Sequence, residues 1–226
     1  RSPGLYPPAA VSEYCPWVKI DYRVHALTPA VGRWAFSPSE RYLAWVEGPE
    51  MRAVHVTELD SMRTVCTLEG VGLLALAWVD GEVLRVVRAA AREVIASRHA
   101  VPDGGSLGVA TMPRDSLAMS AQTSADGRVT LVRQERFRQA QHTSRAFLIG
   151  WRGEDEVTEL SLHDPRPPRG PYVQPQVDCA LAPDGHRVGI VFHESPLGNP
   201  LVLFVTAGGG WMAEVPLSRV NVRALG

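Results

Sequence analysis

The sequence has few cysteines and no long hydrophobic run. Its three cysteines, Cys15, Cys66 and Cys179, lie far apart and never in a Cys-x-x-Cys pair. Isolated cysteines in odd number form no complete disulfide framework and lack the spacing of a zinc site, so each is expected to be a small buried apolar residue. The longest apolar runs, 71–79 and 201–207, are far shorter than the roughly 18–20 residues that cross a bilayer. We therefore expect no metal site, no membrane span and an intracellular location.

Lysine is almost absent, and neither sign of charge dominates. Among the 23 basic residues Lys19 is the single lysine, and the 24 acidic residues leave a formal net charge of −1. A near-neutral chain has no long-range field that attracts nucleic acid or an anionic membrane. The excess of arginine favours planar, bidentate contacts, although a GC-rich genome produces the same bias. A protein partner is therefore expected, and nucleic acid is not.

Motifs for catalysis and cofactor binding are missing as well. The sequence has no Gly-x-Ser-x-Gly nucleophile elbow, no His-Glu-x-x-His pair and no phosphate-binding loop. His193, Glu194 and Ser195 are adjacent, but neighbours on a strand point to opposite faces and form no triad locally. The sequence therefore predicts a protein that is not an enzyme, holds no cofactor and has no evident small-molecule substrate.

What the sequence does contain is one repeated pattern: an apolar strand, a tight turn of Pro, Ser, Asp or Gly, and a second apolar strand. It occurs at 34–46, 77–87, 123–132 and 180–192. Asp-Gly between two alternating runs is a strong hairpin signal, and Pro and Ser favour turns. A recurring hairpin predicts an all-β protein of repeated antiparallel sheets, an architecture that commonly presents a binding surface.

The spacing of the turns predicts the size of the repeated unit. Glu40, Gly81, Gly127 and Gly185 follow one another at intervals of 41, 46 and 58 residues. The first two intervals match a four-stranded propeller blade of about 40–45 residues, and the third fits a blade with a proline-rich insertion at 165–175. We expect an extended arm over residues 1–16 and one β-rich repeat domain over 17–226, with units at roughly 33–70, 71–105, 106–163 and 176–216.

Three segments need separate interpretation. Residues 17–27 alternate apolar and polar side chains, which predicts a strand. Residues 89–100 combine helix-forming alanines with β-branched Val94 and Ile95, and we favour a strand over a helix. Residues 134–144 are polar and are interpreted as a loop or a short helix.

Two turns carry a resemblance to a known family. Ser37-Pro38-Ser39-Glu40 and Ala182-Pro183-Asp184-Gly185 resemble the Ser-Pro-Asp-Gly turn of WD-repeat β-propellers. Residues 54–60 resemble the third strand of such a repeat, with Leu59-Asp60 in place of its Trp-Asp, whereas the Gly-His that opens a repeat is missing. The resemblance covers roughly residues 33–215. It implies about four to five blades, or part of a larger propeller, and non-catalytic recognition of segments of partner proteins.

Two further resemblances give alternatives. Trp17-Val18, Val31-Gly32 and the strand at 34–46 are similar to the start of a polo box, which would make residues 89–100 a helix crossing the first of two tandem polo-box-like sheets. Serine peptidases related to prolyl oligopeptidase carry blades with similar turns. A propeller-like regulatory or cap domain of a larger serine hydrolase is therefore the alternative function.

One basic segment is the candidate partner-binding site. Its arginines and phenylalanines suit an acidic protein segment better than RNA, and an RNA-binding β-propeller is the second alternative. The acidic residues 154–156 lie close by in sequence, so a solvated face paired with these carboxylates is the simpler interpretation. The candidate residues are Arg128, Arg133, Arg136, Phe137, Arg138 and Arg145.

Tryptophans supply a second set of candidates. In a propeller, tryptophans of the strands either fill the core or lie at the mouth of a central channel, where aromatic and arginine side chains anchor peptides. The pattern favours the core for most of them. They are Trp34, Trp45, Trp78, Trp151 and Trp211.

Overall fold

Every regular element of the structure is a β-strand. The computed structural model describes residues 33–46, 52–138, 141–162, 177–192, 201–206 and 211–216. No helix occurs in these ranges, and so none that is long and apolar enough to span a bilayer. The strands are β1 (Trp34–Phe36), β2 (Tyr42–Val46), β3 (Ala53–Glu58), β4 (Arg63–Glu69), β5 (Leu73–Trp78), β6 (Val83–Ala89), β7 (Glu93–Ala100), β8 (Ser106–Pro113), β9 (Ala118–Thr123), β10 (Thr130–Arg138), β11 (Gln141–Ile149), β12 (Val157–Leu160), β13 (Val177–Leu181), β14 (Arg187–Phe192), β15 (Leu201–Thr206) and β16 (Trp211–Pro216).

The strands form four antiparallel sheets, each made of four strands that are consecutive in the chain. The sheets are β1–β4, β5–β8, β9–β12 and β13–β16. Their first strands lie side by side, because β1 contacts β5, β5 contacts β9 and β9 contacts β13. Four-stranded meanders placed this way are the blades of a β-propeller. The prediction of an all-β, propeller-like fold of four-stranded units is confirmed.

The structure decides three details of the sequence interpretation. The strand favoured at 89–100 is confirmed, because Ala89 ends β6 and 93–100 form β7. Val94 of β7 is buried between sheets and Ile95 is half-buried, so the helix of the polo-box alternative is absent. Residues 134–138 and 141–144 are strand in β10 and β11, which pair in register with each other, so the expected loop or short helix is wrong for these residues. The expected boundary at 105/106 is wrong, because β8 pairs with β7 and completes the second sheet.

Each sheet packs on the next through a separate apolar cluster. One cluster lies between the first and second sheets, a second between the second and third, and a third between the third and fourth. In β2, Tyr42, Ala44 and Val46 are buried while Leu43 and Trp45 are half-buried, as expected where alternate side chains point to opposite faces. The burial of these faces is the main stabilising contribution to the stack of sheets.

The turns between the first two strands have a shared hydrogen-bond pattern. The N–H of Ser37 donates to the carbonyl oxygen of Tyr42 at 2.8 Å, and the N–H of Ser124 donates to that of Val129 at 2.9 Å. The hydroxyl oxygen of each serine accepts the N–H of the same partner at 3.0 Å. This explains why Ser recurs where the strand ends. The turn of the fourth sheet keeps the backbone bond with Ala182 in that place.

The turn position that needs a positive φ is the point where the repeats differ. Gly127 and Gly185 adopt φ values of 70° and 71°, and Glu40 takes the equivalent place with φ 56°. A left-handed conformation costs a residue with a side chain roughly 1–2 kcal/mol. Gly127 is also confined, because a Cβ there would collide with the carbonyl oxygen of Trp78 on the second sheet.

Replacing Gly127 with Ala is expected to lower the free energy of unfolding by about 2–4 kcal/mol, from backbone strain and from the collision with Trp78. Gly105→Ala is the matched control, because a Cβ at Gly105 meets nothing within 4 Å. Urea denaturation measures both variants. Equal midpoints for the two variants would contradict the tight contact between the turn and the second sheet.

Replacing Glu40 with Gly is expected to raise the free energy of unfolding by roughly 0.5–1 kcal/mol, because relief of the left-handed strain exceeds the added chain entropy of glycine. Glu40→Ala removes the same carboxylate but keeps the backbone penalty, and it should leave stability unchanged. The same urea titration compares the two. A stabilisation shared by both variants would assign the effect to the side chain instead.

Candidate binding site

A cavity of about 360 Å³ opens where the first strands of three sheets meet. Its walls come from β1, β5 and β9 and from the residue that precedes β1. The first sheet contributes a guanidinium and an indole ring, the second sheet apolar side chains, and the third sheet a methyl and a hydroxyl group. The lining residues are Arg33, Trp34, Leu74, Ala75, Leu76, Ala121 and Thr123. The cavity therefore lies along the innermost strands, where a propeller has its channel.

Arg33 and Trp34 give this cavity its chemical character. Burial lowers the pKa of the Arg33 guanidinium from its ordinary value, yet an arginine stays protonated in proteins. Within the described part of the chain, no carboxylate forms an ion pair with Arg33. The Trp34 side chain is 61% exposed, and its ring meets the Phe36 ring edge-on at 5.5 Å. A cation, an open aromatic face and an apolar wall therefore converge on one opening.

The tryptophans divide between the two expected environments. Trp78 and Trp151 are buried, which agrees with a core role, and the indole N–H of Trp78 donates to the carbonyl oxygen of Ala35 at 2.9 Å. Trp45 is half-buried and stacks on the His55 ring at 4.6 Å. Trp34 is exposed and borders the cavity, which is the second of the two expected environments. The side chain of Trp211 lies outside the described residues.

Those residues of the candidate basic segment that the structure describes do not form one continuous patch. Arg128 is in the exposed turn before β10, whereas Arg136 is near the far end of that strand. Arg133 points to the fourth sheet, where its guanidinium donates to the carbonyl oxygen of Val177 at 2.9 Å. Arg145 pairs in register with Gln134, on the opposite face from Arg133. The side chains of residues 137 and 138 lie outside the described ones, and partner binding by the segment remains a prediction.

Carboxylates neutralise several of these arginines. Arg133 forms ion pairs with Glu135, at 2.7 Å, and with Asp178. Arg145 binds Glu159 at 2.8 Å and contacts Asp115. Hydrogen bonds from Arg145 lower the pKa of Glu159 from its ordinary value. These arginines therefore offer less positive charge to a partner than the sequence suggests.

The acidic residues 154–156 make a different contact from the expected one. Arg98 on β7 binds Asp155 through two parallel hydrogen bonds of 2.8 and 2.6 Å, and it reaches Glu154 at 2.5 Å. The expected pairing of this stretch with the segment at 128–145 is therefore wrong. The fold places the loop between β11 and β12 against the second sheet, so its carboxylates join two sheets.

The described residues include no catalytic arrangement of the kinds considered from sequence. No three His, Cys, Asp or Glu side chains of the described ranges are placed to hold a metal ion. Cys66 and Cys179 are free and half-buried instead of fully buried. Burial raises the pKa of the Cys179 thiol to about 11, which keeps it protonated and unreactive near neutral pH. Residues 193–195, Cys15 and the insertion at 165–175 lie outside the described residues.

Comparisons with known proteins establish the fold and nothing finer. No family model matches the chain, and no curated protein matches it. The chain is similar to the crystal structure of a eukaryotic initiation factor, with 14% identity, a TM-score of 0.54, and coverage of 84% of this chain and 43% of that one. It is also similar to the hydrazine synthase of Kuenenia stuttgartiensis, with 15% identity, a TM-score of 0.50, and coverage of 74% and 51%.

The WD40 domain of Toxoplasma gondii coronin aligns with 12% identity and a TM-score of 0.48, over 82% of this chain and 45% of that one. At these identities the likeness concerns fold alone. The chain spans about half the length of the solved chains that it resembles. These structures belong to enzymes as well as to other proteins, so the fold is compatible with either role.

The contact between Arg98 and Asp155 gives stability a dependence on pH. The pKa of Asp155 lies below its ordinary value because Arg98 donates hydrogen bonds to the ionised carboxylate. The pKa of Asp155 is lower in the folded than in the unfolded protein. The stability that this contact adds is therefore fully present above the ordinary pKa of Asp and is lost as pH falls through the folded-state pKa. Asp155→Asn should therefore cost about 1–2 kcal/mol of unfolding free energy at neutral pH and almost nothing in strong acid.

Urea midpoints measured from neutral to acid pH provide the test. Glu82→Gln is the control, because Glu82 is 66% exposed and lies 3.8 Å from Arg41, a separation at which surface pairs contribute little. If Asp155→Asn lowered the free energy of unfolding equally at neutral and at acid pH, the charge of Asp155 would not be the cause of the lost stability.

Proposed function

We propose that the protein is a non-catalytic interaction module that binds an acidic segment of a partner protein at the cavity of Arg33 and Trp34. The observation that carries the proposal is the guanidinium of Arg33, which forms no ion pair with a carboxylate of the described residues, next to the exposed indole ring of Trp34. Both groups border the cavity formed by the first strands of three sheets. Propeller channels and their mouths are common positions for ligand binding.

The charge of Arg33 supports an anionic ligand. A half-buried cation without a counter-charge loses part of its hydration, and no ion pair with the protein compensates for that loss. A carboxylate brought by a ligand would restore that balance through charge-assisted hydrogen bonds, which the guanidinium can make in parallel pairs. An Asp or Glu side chain, or a chain terminus, supplies such a carboxylate.

The remaining walls support a peptide with an apolar side chain next to its acidic residue. Leu74 and Leu76 form an apolar wall, and Thr123 adds a hydroxyl group. Trp34 offers a large rigid surface that loses little conformational entropy on binding, a property that makes tryptophan frequent among residues that dominate interface energetics. A volume of about 360 Å³ is at the lower end of the range for ligand pockets, which suits one or two side chains.

Binding of RNA to the segment at 128–145 receives less support. Single strands are held by a continuous cationic groove with stacked aromatic rings. Arg133 and Arg145 instead point to opposite faces of the third sheet and are occupied by Asp or Glu side chains. The acidic peptide therefore remains the better candidate ligand.

The test is a selection of short random peptides displayed on phage, followed by titration calorimetry with the enriched sequences. We expect Asp or Glu next to an aliphatic or aromatic residue in the enriched peptides. Arg33→Ala and Trp34→Ala should each weaken binding at least tenfold, which corresponds to about 1.4 kcal/mol. Raising the salt concentration should weaken binding to the wild type more than binding to Arg33→Ala, because salt screens the attraction of the Arg33 charge, which the variant lacks.

Arg63→Ala is the matched control, because Arg63 is exposed at the start of β4, far along the sheet from the cavity. Arg136→Glu tests the candidate basic segment with the same peptides. Enriched peptides without acidic residues, or equal affinity for the wild type and Arg33→Ala, would refute the cavity as the site. Loss of binding in Arg136→Glu alone would transfer the site to the third sheet.

A further inference from the structure

The first and fourth sheets each have one face that no other described sheet covers. On the first sheet this face carries Trp34, Phe36, Leu43 and Trp45, and we refer to it as the aromatic face. Phe36 is 48% exposed, and Leu43 and Trp45 are half-buried. Strong contacts between sheets join the first to the second, the second to the third and the third to the fourth, whereas none joins the described strands of the fourth to those of the first.

The repeat inside the chain shows what kind of surface the aromatic face is. Phe36 pairs with Leu43 across β1 and β2, as Trp78 pairs with Leu84 across β5 and β6. Trp78 and Leu84 are 5% and 0% exposed, because the first sheet covers them. The aromatic face therefore occupies the position that is a buried contact between sheets one repeat later.

The uncovered face of the fourth sheet repeats the opposite side of that contact. Ala35 pairs with Ala44 on the face of the first sheet that receives the second sheet. Ala180 pairs with Gly189 at the equivalent positions of β13 and β14. On the first sheet, Ala35 receives Trp78 of the following sheet, whose indole N–H donates to the carbonyl oxygen of Ala35 at 2.9 Å. On the fourth sheet, the Phe204 ring lies beside Gly189. We refer to this as the small-residue face.

We propose that the small-residue face of one copy packs on the aromatic face of a second copy, so that two chains form one closed ring of eight sheets. The contact would repeat the existing one between the first and second sheets. A two-fold axis covers both free faces of both chains at once and leaves no unpaired end, which a linear arrangement would leave. Apolar surface of this kind on an otherwise polar protein marks an interface.

Trp34 stands at the edge of this contact. It pairs in register with Trp45 and so lies on the aromatic face. Its equivalent in the second sheet, Leu76, packs at the edge of the cluster between the first two sheets and also borders the cavity. Trp34 is therefore expected to border both the contact and the cavity.

The mass of the protein in solution provides the first test. Sedimentation velocity of the full chain should give twice the monomer mass of 24.6 kDa. Phe36→Glu should give the monomer mass with an unchanged circular dichroism spectrum, because it places a charge in the contact but touches no other sheet. Leu117→Glu is the control and should remain dimeric, since Leu117 is 87% exposed in the link between β8 and β9. A monomeric wild type at tens of micromolar, or a dimeric Phe36→Glu, would overturn the proposal.

A cysteine pair identifies the copy that makes the contact. The turn of the third sheet meets the turn of the fourth where the N–H of Ala125 donates to the carbonyl oxygen of Pro183 at 2.8 Å. Pro38 holds the equivalent turn position on the first sheet, so Pro183 of one copy should lie beside Pro38 of the other. Pro38→Cys/Pro183→Cys should give a covalent dimer on a non-reducing gel after mild oxidation, and each single variant should give none.

Every result of the cross-linking decides the question. A covalent dimer in the double variant alone supports the two-chain ring. A disulfide within one chain, detected as a faster-moving monomer, shows that the chain closes on itself and overturns the proposal. Absence of cross-linking in a protein that remains a dimer also overturns it, because a different surface then makes the dimer.

Discussion

Arginine side chains that reach from one sheet to the backbone of the next hold this fold in register. Arg85 on β6 is 2% exposed and donates to the carbonyl oxygens of Arg128 and, at 2.9 Å, of Glu154, both on the third sheet. Arg88 on the same strand reaches back to the carbonyl oxygen of Leu68 at 3.0 Å. Burial lowers the pKa of Arg85, which shows that its charge is desolvated at a cost that the hydrogen bonds must offset. The planar guanidinium can bind several carbonyl oxygens at once, which the ammonium of lysine cannot do in the same plane. The preference for arginine over lysine therefore has a structural role in this fold, whatever its genomic origin.

Local chemistry allowed the repeat to be predicted, and pairing between distant residues limited the rest. Ser37, Asp80 and Gly127 identify their turns because each satisfies a local hydrogen bond or a local φ requirement. The end of the second sheet was missed because β8 is an edge strand whose apolar side chains, Leu107 and Val109, are about half exposed. Such a strand shows no clear alternation, and its membership depends on pairing with β7. Sequence patterns report a strand's faces and do not report its neighbours.

The same reasoning explains why the cavity could not be located from the sequence. Arg33 and Leu74 lie 41 residues apart along the chain, and Leu74 and Ala121 lie 47 apart. They border one cavity only because the first strands of successive sheets are adjacent. The many arginines at 128–145 favoured that segment as the predicted site instead. Arg133 and Arg145 of this segment lie on opposite faces of the third sheet, where they form ion pairs with Asp178 and Glu159 of other strands. Charge density along a chain is therefore a poor guide where alternate side chains serve different interfaces.

Peptide binding at the cavity and closure of a ring are compatible because they use different positions of one repeated pattern. In the second sheet, Leu76 borders the cavity while Trp78, two residues later on the same face, is buried by the first sheet. β5 runs from the channel into the contact with the first sheet, so the face that carries Leu76 and Trp78 borders the cavity at one residue and packs between sheets at the other. Trp34 and Phe36 stand in the same order on β1. A second copy that covered Phe36 would therefore leave Trp34 at the channel, and would give the cavity a further wall without filling it.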